Sequence, residues 1–360
     1  MSVHESYMYR CLQLAKLGAG HVAPNPMVGA VLAHEGRIIG EGFHEKFGQP
    51  HAEVNCLNSV KPSEVNLISS STLYVSLEPC SHHGKTPPCA DLIIEKKIPK
   101  VVIGCTDPFV EVKGRGIDKL QKAGIEVILN VLEKECIELN KRFFTFHLQH
   151  RPYVVLKWAQ SANGKMARAD KARFQISNEF SKRLVHKWRS EEASILVGTN
   201  TALNDDPELN NRFWDGANPI RLVTDMELRL PNTLKLFNTQ IPTIVFNARQ
   251  HSIEKIAFHS THPLGKEAVA YYQVTIDVDL VTQLMHGLYQ MNVQSVLVEG
   301  GARLLQSFID QHYWDEIRLI TNSELRMEEG IASPNFSGVK IEEEELFSDR
   351  IEIFKPLSSK

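Results

Sequence analysis

Apolar residues in the first part of the chain alternate between helical spacing and short β-branched runs. The helical pattern falls at about 4–17, 52–60, 89–97, 116–124 and 132–146, and the strand pattern at 29–42, 72–80, 100–107 and 125–130. The 29–42 segment is typical of a hairpin, because His34-Glu35-Gly36 interrupts it with turn residues. Strands separated by helices of this length predict a sheet with helices on its faces.

The helical pattern ends before Pro152, which cannot extend a helix, and an apolar strand pattern then begins again. We therefore expect two domains, at 1–149 and 150–360. The second part has predicted strands at 153–161, 194–201, 220–225, 243–247, 295–301 and 317–321, and a predicted helix at 178–192. Both domains are thus predicted to be α/β, with ligands beyond the carboxyl ends of the strands. We interpret the acidic run Glu342–Glu345 as a solvated surface.

Composition supports two globular domains and changes the expected partners. The 360 residues exceed what one core organises, at roughly 150 residues per domain. A net charge of -3 supplies no positive field of the kind that dominates nonspecific nucleic-acid binding. We expect a small-molecule substrate, with neither a nucleic-acid nor a membrane partner. The N-terminal segment lacks a basic start followed by an apolar run, so a cytoplasmic protein is expected.

Every cysteine lies in the first 136 residues, which suggests that the two parts do different work. The six are Cys11, Cys56, Cys80, Cys89, Cys105 and Cys136. A long chain without a signal segment is a poor candidate for a secreted disulfide framework. We therefore expect reduced thiols, some of them available as thiolate ligands.

A metal site is the best interpretation of the segments "HAEVNC" and "SLEPCSHHGKTPPC". Zinc binds histidine nitrogen and cysteine thiolate, and a catalytic zinc site keeps three protein ligands and one open position. His51, Cys80 and Cys89 can supply those three ligands. Pro50 and Pro79 directly precede two of them, so we expect His51 and Cys80 at or near helix starts, where a thiolate is favoured.

Glu53 has a defined role beside such a metal, because a carboxylate can accept and relay the proton of an activated water. A His-x-Glu segment followed by a later Pro-Cys pair is typical of zinc nucleobase deaminases. Residues two apart on a helix point about 200° from each other. His51 and Glu53 therefore meet at one metal only if His51 stands at the first residue of its helix.

Three other interpretations of these residues stay open. The first is a surface histidine and glutamate with cysteines packed in a core. The second is a structural zinc site that His82 or His83 completes as fourth ligand, in a zinc-stabilised binding protein without catalysis. The third is a nucleoside or tRNA deaminase with an unrelated second domain, which a Cys-x-x-Cys spacing and a basic face would have favoured.

The second part has no Gly-x-Gly-x-x-Gly after a strand, which disfavours a Rossmann domain. It has instead "SVLVEGGARLLQSFI", a buried strand followed by two glycines and a predicted helix. The first amides of that helix could hold a phosphate. The signal is weak by itself, because strand-Gly-Gly-helix turns are common.

Several motifs resemble one family over both parts of the chain. "PNPMVG", "HAEVNC", "SLEPCSHHGKTPPC" and "DPFVEVKGRGI" resemble the deaminase half of the bifunctional riboflavin-biosynthesis deaminase/reductase family. "VLKWAQSANGK", "RSEEASILVGTNTALNDDPELNNR", "PIRLVTD" and "VLVEGG" resemble its reductase half. Eight residues separate Cys80 from Cys89, which is also the family's long spacing.

The resemblance implies a cytidine-deaminase-like α/β/α domain at the N-terminus. It implies one zinc ion per chain, held by His51, Cys80 and Cys89, with Glu53 as proton shuttle. The implied substrate is a diaminopyrimidinone with a ribosylamino 5′-phosphate, which loses its ring amine as ammonia. Asn25 is a candidate to hydrogen-bond this substrate, and the two residues His82 and Lys85 are candidates to contact it or its phosphate.

For the second domain the resemblance implies a dihydrofolate-reductase-like α/β fold that uses NADPH to reduce the ribosyl group to ribityl. The implied cofactor contacts are Thr201, Asp205, Gly301, Ala302, Arg303, Leu304, Leu305, Gln306 and Ser307. The implied substrate contacts are Arg189, Leu209, Arg212 and Glu299. A homo-oligomer, either a dimer or a tetramer, is also expected.

Two positions depart from the family pattern. Gln175, beside Phe174, stands where the family often has a tryptophan, so stacking on the nicotinamide through this residue is in doubt. Asn163 replaces an aspartate after the first strand of the second domain, so we assign it no role in proton transfer.

Overall fold

The computed structural model describes residues 1–81, 87–109, 112–170, 174–252 and 269–357. The chain divides into two compact units, Met1–Gln149 and His150–Lys360. Each unit contains one main β-sheet, with both parallel and antiparallel strand pairs, and several helices. The predicted α/β class is therefore confirmed for both parts.

The first unit is built on one five-stranded sheet of order β2-β1-β3-β4-β5. Its strands are β1 Gly29–His34, β2 Arg37–Phe43, β3 Thr72–Leu77, β4 Lys100–Cys105 and β5 Glu126–Ile128. Its α-helices are α1 Val3–Lys16, α2 Ala52–Asn58, α3 Cys89–Glu95, α4 Arg115–Lys122, α5 Glu133–Leu139 and α6 Lys141–Gln149, and a 3-10 helix spans Pro62–Ser70. β1 runs antiparallel to β2 and β3, whereas β3, β4 and β5 are parallel.

Alternating side chains of this sheet pack into two separate cores, because successive residues of a strand point to opposite faces. Ala30 and Leu32 pack with residues of α2, α3 and α4. Val31 and Ala33 pack with residues of α1, α5 and α6. The first unit is therefore a three-layer α/β/α structure, as the resemblance implied.

The single helix predicted at 132–146 is wrong, because two helices, α5 and α6, occupy this segment. The break is at Asn140, which leaves helical geometry at φ -105° and ψ 24°. Its side-chain oxygen accepts a hydrogen bond from the Met27 amide (2.8 Å), and its side-chain nitrogen donates to the Met27 carbonyl (2.9 Å). This contact across more than 100 residues has no signature in the local sequence.

We expect Asn140→Ala to lower the free energy of unfolding of the first unit by about 1–3 kcal/mol, because it leaves two main-chain groups of Met27 unpaired. Urea unfolding followed by circular dichroism measures the change. Asn58→Ala, at the exposed end of α2, is the matched control and should leave the midpoint unchanged. An equal midpoint for wild type and Asn140→Ala would contradict this role for the Asn140 amide.

The second unit is built on a nine-stranded sheet of order β11-β10-β9-β8-β12-β6-β13-β16-β15. Its strands are β6 Tyr153–Ser161, β7 Lys165–Arg168, β8 Ser194–Gly198, β9 Ile220–Thr224, β10 Thr243–Asn247, β11 Val269–Gln273, β12 Ser295–Val298, β13 Glu316–Asn322, β14 Gly330–Ala332, β15 Gly338–Leu346 and β16 Asp349–Pro356. Its α-helices are α7 Glu179–Glu191, α8 Thr199–Asp205, α9 Leu280–Gln290 and α10 Ala302–Asp310, and a short 3-10 helix spans Lys235–Phe237. β7 and β14 form a separate two-stranded sheet.

The sheet is parallel from β11 to β13, and β16 and β15 add an antiparallel edge. Val154, Leu156 and Trp158 of β6 face one core, whereas Tyr153 and Val155 face the other. Helices or loops therefore cover both faces of the central strands, which explains their continuous apolar runs. The sequence patterns did not predict β7, β11, α9, β14, β15 or β16.

Two boundaries in this unit differ from the prediction. The strand predicted at 194–201 ends at Gly198, and Thr199 begins α8. The Thr199 hydroxyl donates to the Thr224 carbonyl (2.5 Å), which ties the start of this helix to the end of β9. The acidic run Glu342–Glu345 is exposed, as predicted, but belongs to the edge strand β15. Within the described ranges, no helix combines the length and the apolar character needed to cross a membrane.

Candidate metal centre and cofactor cleft

Three side chains from separate elements of the first unit converge on one point. His51 is the N-cap of α2, Cys80 lies in the loop after β3, and Cys89 is the first residue of α3. His51 Nδ1 lies 3.6 Å from Cys80 Sγ and 3.4 Å from Cys89 Sγ. The three ligand atoms lie within 4.8 Å of one another. One imidazole nitrogen and two sulfurs at this separation are the donor set of a catalytic zinc site.

Cys80 lies near a helix start in space, although the described residues around it along the chain are not helical. β3 ends at Leu77, and α3 begins only at Cys89, with Pro88 as its N-cap. The Cys89 amide donates to Cys80 Sγ (3.3 Å), so the start of α3 contacts the loop cysteine without including it. His82 and His83, the candidate fourth ligands, and Lys85 lie outside the described residues.

Glu53 is the second residue of α2 and is 3% exposed. His51, as N-cap, has an extended backbone (φ -72°, ψ 166°), so the 200° separation within a helix does not apply to this pair. Burial raises the pKa of the Glu53 carboxyl, and the charge of His51 opposes that shift. The carboxyl also hydrogen-bonds the Cys89 thiol. A buried carboxyl with a raised pKa beside three metal donors is suited to accept and return a proton.

A hydrogen bond between the Cys80 and Cys89 thiols shifts their pKa values in opposite directions. The hydrogen bond with Cys89 lowers the pKa of the Cys80 thiol, and the same bond raises the pKa of Cys89. A coordinating metal ion takes the place of the proton in that bond, because bound thiols are deprotonated. The two cysteine sulfurs are thus placed to bind one metal ion together.

Glu78, which the sequence analysis missed, holds the loop before Cys80 in place. Its buried carboxylate accepts hydrogen bonds from the amides of Gly114, Gly116 and Ile117 at 3.0–3.3 Å. A Cβ on Gly116 would lie 2.0 Å from the Pro79 carbonyl oxygen, so only glycine permits this approach. The start of α4, from Gly114 to Ile117, therefore packs directly against the loop that precedes Cys80.

Asn25 is connected to the metal-binding residue His51 through His44, a second residue that sequence reasoning missed. His44 Nδ1 lies 3.1 Å from the Pro50 carbonyl, which can only accept, so Nδ1 carries the proton. The other ring nitrogen then accepts from the Asn25 side-chain amide (3.1 Å). Burial lowers the pKa of His44, in agreement with this neutral form. The His44 ring is 5.4 Å from the His51 ring.

A cleft of about 1010 Å³ lies in the second unit. Most of the residues predicted to bind cofactor or substrate line it. These are Thr201, Asp205, Gly301, Ala302, Arg303, Leu304, Ser307, Arg189, Leu209, Arg212 and Glu299. Several of them directly follow the strands β8 and β12. This agrees with the usual position of ligands at the carboxyl edge of a parallel sheet.

The turn after β12 has the form of a phosphate-binding turn. Gly301 is the N-cap of α10, so unpaired amides of its first turn lie at the cleft. A Cβ on Gly301 would lie 3.2 Å from the Thr201 hydroxyl, which shows how closely α8 approaches this turn. The Gly198 amide donates to the Gly300 carbonyl (3.0 Å) and joins the two strand ends.

Two predicted cofactor residues do not reach the cleft. Leu305 is fully buried in the hydrophobic core of the unit. Gln306 exchanges hydrogen bonds with the main chain of Asn335. Both positions lie on α10, where successive residues turn by about 100°, so a continuous run of seven cannot all face one ligand.

Arg189, Glu299 and Lys157 form a buried charge cluster in the cleft. The Arg189 guanidinium holds both carboxylate oxygens of Glu299, at 2.8 and 2.7 Å. Lys157 Nζ lies 3.7 Å from the same carboxylate. Burial by itself raises the pKa of Glu299, but the charges of Arg189 and Lys157 hold it at about 2. Burial lowers the pKa of Lys157, and the charge of Glu299 opposes that shift.

The two residues that depart from the family pattern, Gln175 and Asn163, both form hydrogen bonds within the second unit. Phe174 and Gln175 both line the cleft, and the Gln175 amide donates to the Ser177 carbonyl (3.0 Å). Asn163 donates to the Met327 carbonyl (2.7 Å) and accepts from the Met327 amide (3.1 Å), so it ties the β6–β7 turn to a neighbouring loop.

The cleft contains further polar side chains that sequence reasoning missed, among them Lys157, Lys182 and His186. Lys157 had a usable signal, because it is a charged residue inside the apolar strand "YVVLKWAQS". Lys182 and His186 lie on the predicted helix at 178–192, where polar residues are ordinary on a solvent face. Only the packing of α7 against the cleft distinguishes them from surface residues.

Both parts of the chain match known family models. Residues 1–105 match the cytidine and deoxycytidylate deaminase zinc-binding region. Residues 152–325 match the RibD C-terminal domain.

Relatives and solved structures match over nearly the whole chain. The riboflavin biosynthesis protein RibD of Aquifex aeolicus is 38% identical and covers 95% of this chain and 92% of its own. That of Escherichia coli is 33% identical over 87% of this chain and 86% of its own. The Thermotoga maritima diaminohydroxyphosphoribosylaminopyrimidine deaminase/5-amino-6-(5-phosphoribosylamino)uracil reductase superposes with a TM-score of 0.86 at 35% identity, over 99% of both chains. Acinetobacter baumannii RibD gives a TM-score of 0.87 at 30% identity, again over 99% of both.

Proposed function

This chain belongs to the RibD family of bifunctional riboflavin-biosynthesis deaminase/reductases, and on that premise we propose that its first unit deaminates a phosphorylated diaminopyrimidine and its second unit reduces the product. The observation that carries the proposal is the convergence of His51, Cys80 and Cys89 in a chain that also has a dinucleotide-sized cleft.

In the first unit, His51, Cys80 and Cys89 would hold one zinc ion, and their nitrogen and sulfur donors fit this metal. Bound zinc supplies Lewis-acid activation of a water molecule. Glu53 would accept one proton from the attacking water and deliver it to the ring nitrogen. It would then move the second proton, from the hydroxyl group added to the ring carbon, to the amine, which leaves as ammonia while that carbon becomes a carbonyl. Asn25 donates a hydrogen bond to the pyrimidine from beside the metal donors, and His44 holds its amide in position.

In the second unit, NADPH would bind along Thr201, Asp205 and the first turn of α10, which fit a phosphate group. The cofactor supplies a hydride to the ribosyl carbon. Glu299 and Leu209 contact the ribosyl part of the substrate, and Lys157 supplies a proton as the sugar ring opens. Arg189 orients the Glu299 carboxylate through its two hydrogen bonds and can contact the substrate from the same place.

The direct test is incubation of the protein with the diaminopyrimidine substrate and NADPH, with ammonia release and NADPH oxidation recorded separately. We expect ammonia to appear first and NADPH oxidation to depend on it. With deaminated substrate, NADPH oxidation should start at once and no ammonia should appear. The reductase assignment would be refuted if the deaminated substrate caused no NADPH oxidation. It would also be refuted if NADPH were oxidised equally well without any pyrimidine.

A tRNA or nucleoside deaminase with an unrelated second domain is not favoured, because both parts of the chain are similar to RibD proteins. A structural zinc site would need a fourth protein ligand. Among the residues that the structure describes, the metal-binding group contains His51, Cys80 and Cys89. His82 and His83, the candidate fourth ligands of that alternative, lie outside the described residues. The cytoplasmic location and the homo-oligomeric state stay predictions.

Arg212 should contribute to substrate binding more than to cofactor binding. We expect Arg212→Ala to raise the substrate KM about 10- to 100-fold, because a lost charge-assisted hydrogen bond costs roughly 1.5–3 kcal/mol. The NADPH KM should change little. Steady-state NADPH oxidation with each reactant varied in turn measures both constants. If only the NADPH KM rose, the substrate and cofactor assignments would have to be exchanged.

A further inference from the structure

Glu78 is a buried acidic residue that the proposed deamination does not use. It lies between Leu77, the last residue of β3, and Pro79, which precedes the metal-binding Cys80. Its main-chain amide donates to the Cys105 carbonyl (3.0 Å), so it extends the pairing of β3 with β4 by one residue. The side chain is 4% exposed and is not one of the metal donors. Burying a carboxylate is costly unless it is hydrogen-bonded, so its partners indicate its role.

Four main-chain amides converge on the Glu78 carboxylate. One oxygen accepts from Asp107 (3.3 Å) and Gly114 (3.0 Å). The other accepts from Gly116 (3.0 Å) and Ile117 (3.3 Å), which lie in the first turn of α4. The first amides of a helix have no partner within the helix, and the positive end of its dipole favours a negative group. An amide N–H can only donate, so both oxygens must accept, as a carboxylate does and a carboxamide does not.

The start of α4 also packs against the peptide that leads to Cys80. A Cβ on Gly116 would lie 2.0 Å from the Pro79 carbonyl oxygen and 3.3 Å from a carboxylate oxygen of Glu78. A side chain at this position would therefore push α4 and the chain before Cys80 apart. Gly116 and Glu78 thus maintain one contact from its two sides.

Helix α3 holds Cys80 from the other direction. The Cys89 amide donates to Cys80 Sγ (3.3 Å), and the Ala90 amide donates to the Cys80 carbonyl (3.1 Å). These two bonds fix Cys80 relative to α3, whereas Glu78 fixes the preceding residues relative to α4. The position of the Cys80 sulfur beside His51 therefore depends on both helices.

We propose that Glu78 is a positioning residue of the metal centre. Its carboxylate ties the chain before Cys80 to the first turn of α4 and so places the Cys80 sulfur where it can bind zinc. The inference rests on the proposed zinc site and deaminase function of the first unit. Ligand distances in a protein metal site are defined to within about 0.2 Å, so a small shift of one sulfur weakens binding. Glu78 thus acts on the metal through Cys80 and not as a donor.

The first test is the zinc affinity of the full chain carrying Glu78→Gln. Glutamine has the size of glutamate, but its NH2 group would face two of the four amide N–H groups, which need an acceptor. We expect the dissociation constant for Zn²⁺, measured by competition with a chromophoric chelator, to rise about 10- to 100-fold, the usual cost of losing a group that orients a metal ligand. An affinity within about twofold of wild type would overturn the proposal.

Gly124→Ala is the matched control for loss of stability. Gly124 lies just beyond the other end of α4, has φ 81° and has open space around the position of a Cβ. Alanine there strains the backbone of the same unit without contacting the loop before Cys80. The thermal midpoints of the metal-free variants measure this general damage. Glu78→Gln should bind zinc far more weakly than Gly124→Ala, and equal losses of affinity in the two would assign the effect to stability and overturn the proposal.

Cobalt(II) in place of zinc gives a measurement that separates position from stability. Its visible absorption depends on the distances and angles of the ligands, so it reports the position of the sulfurs once the site is saturated. We expect saturated Glu78→Gln to show shifted bands and saturated Gly124→Ala to show the wild-type spectrum. A wild-type spectrum in saturated Glu78→Gln would mean that the sulfur has not moved and would contradict the proposal.

Two further variants decide the question if Glu78→Gln does not fold. Glu78→Asp keeps a carboxylate on a side chain one methylene shorter, and Gly116→Ala pushes on the same contact from α4. Both should bind zinc more weakly than wild type and shift the cobalt spectrum. Wild-type affinity and spectrum in either folded variant would overturn the role of this contact.

Failure of the inference can be told apart from failure of the proposed function. If wild type binds about one zinc ion per chain and releases ammonia but the variants keep its affinity and spectrum, only the role of Glu78 is wrong. If wild type binds no zinc, or releases no ammonia from the diaminopyrimidine, the proposed deaminase function itself is wrong.

Discussion

Cys80→Ser and Cys89→Ser should each reduce bound zinc from about one ion per chain to almost none. Each should also lower ammonia release to the background rate. Serine keeps the size of the side chain but replaces a thiolate with a neutral hydroxyl, which is a poor zinc ligand. His51 and one remaining sulfur cannot hold the metal in a three-ligand site. Elemental analysis of the purified variants, beside an ammonia assay, measures both effects.

The matched control for these variants is Cys56→Ser. Cys56 lies in α2, close to His51 in sequence, but its thiol is buried in the core, and burial raises its pKa. This variant should stay zinc-loaded. NADPH oxidation with deaminated substrate should survive in all three, since the described residues that line the cleft belong to the second unit. Full zinc occupancy in both Cys80→Ser and Cys89→Ser would end the metal assignment.

Glu53→Gln should keep zinc and lose ammonia release by about 10²–10⁴-fold, the usual contribution of a general acid-base group. Glutamine has the size of glutamate and still fits the buried site, but it cannot accept and return a proton. The same variant should oxidise NADPH at nearly the wild-type rate when it receives the deaminated pyrimidine. With the diamino substrate it should perform neither reaction efficiently, because reduction follows deamination.

Glu35→Gln provides the comparison, as Glu35 is an exposed carboxylate at the β1–β2 turn of the same unit. It should show wild-type rates in both assays. Normal ammonia release by Glu53→Gln would remove Glu53 from the mechanism. Collapse of NADPH oxidation in a folded, zinc-loaded Glu53→Gln given deaminated substrate would contradict two independent sites.

The local spacing of apolar and polar residues predicted most elements of the first unit correctly. Its helices and strands show this spacing clearly, and turn residues separate them. The helix at 132–146 failed where a long-range contact, from Asn140 to Met27, competed with local helical preference. In the second unit α9 escaped prediction although Asp279 caps it, accepting from the amides of Val281 and Thr282. The edge strand β15 pairs with β16, but it is almost entirely exposed and contains four consecutive glutamates, so its sequence resembles a solvated surface segment.

The sequence by itself determined the chemistry of this protein: a His-x-Glu segment and two cysteines that can bind zinc, and a Gly-Gly turn before a helix that can bind phosphate. Those signals are local, because neighbouring residue types and spacing carry them. Only the tertiary structure decided that His51, Cys80 and Cys89 meet within 4.8 Å, because three separate elements deliver them. Likewise, helical rotation directs Leu305 into the core, and the contact between α7 and the 212–213 loop makes His186 part of the cleft. The meeting of these side chains depends on how distant segments of the chain pack together, and the spacing of residues along the chain does not encode it.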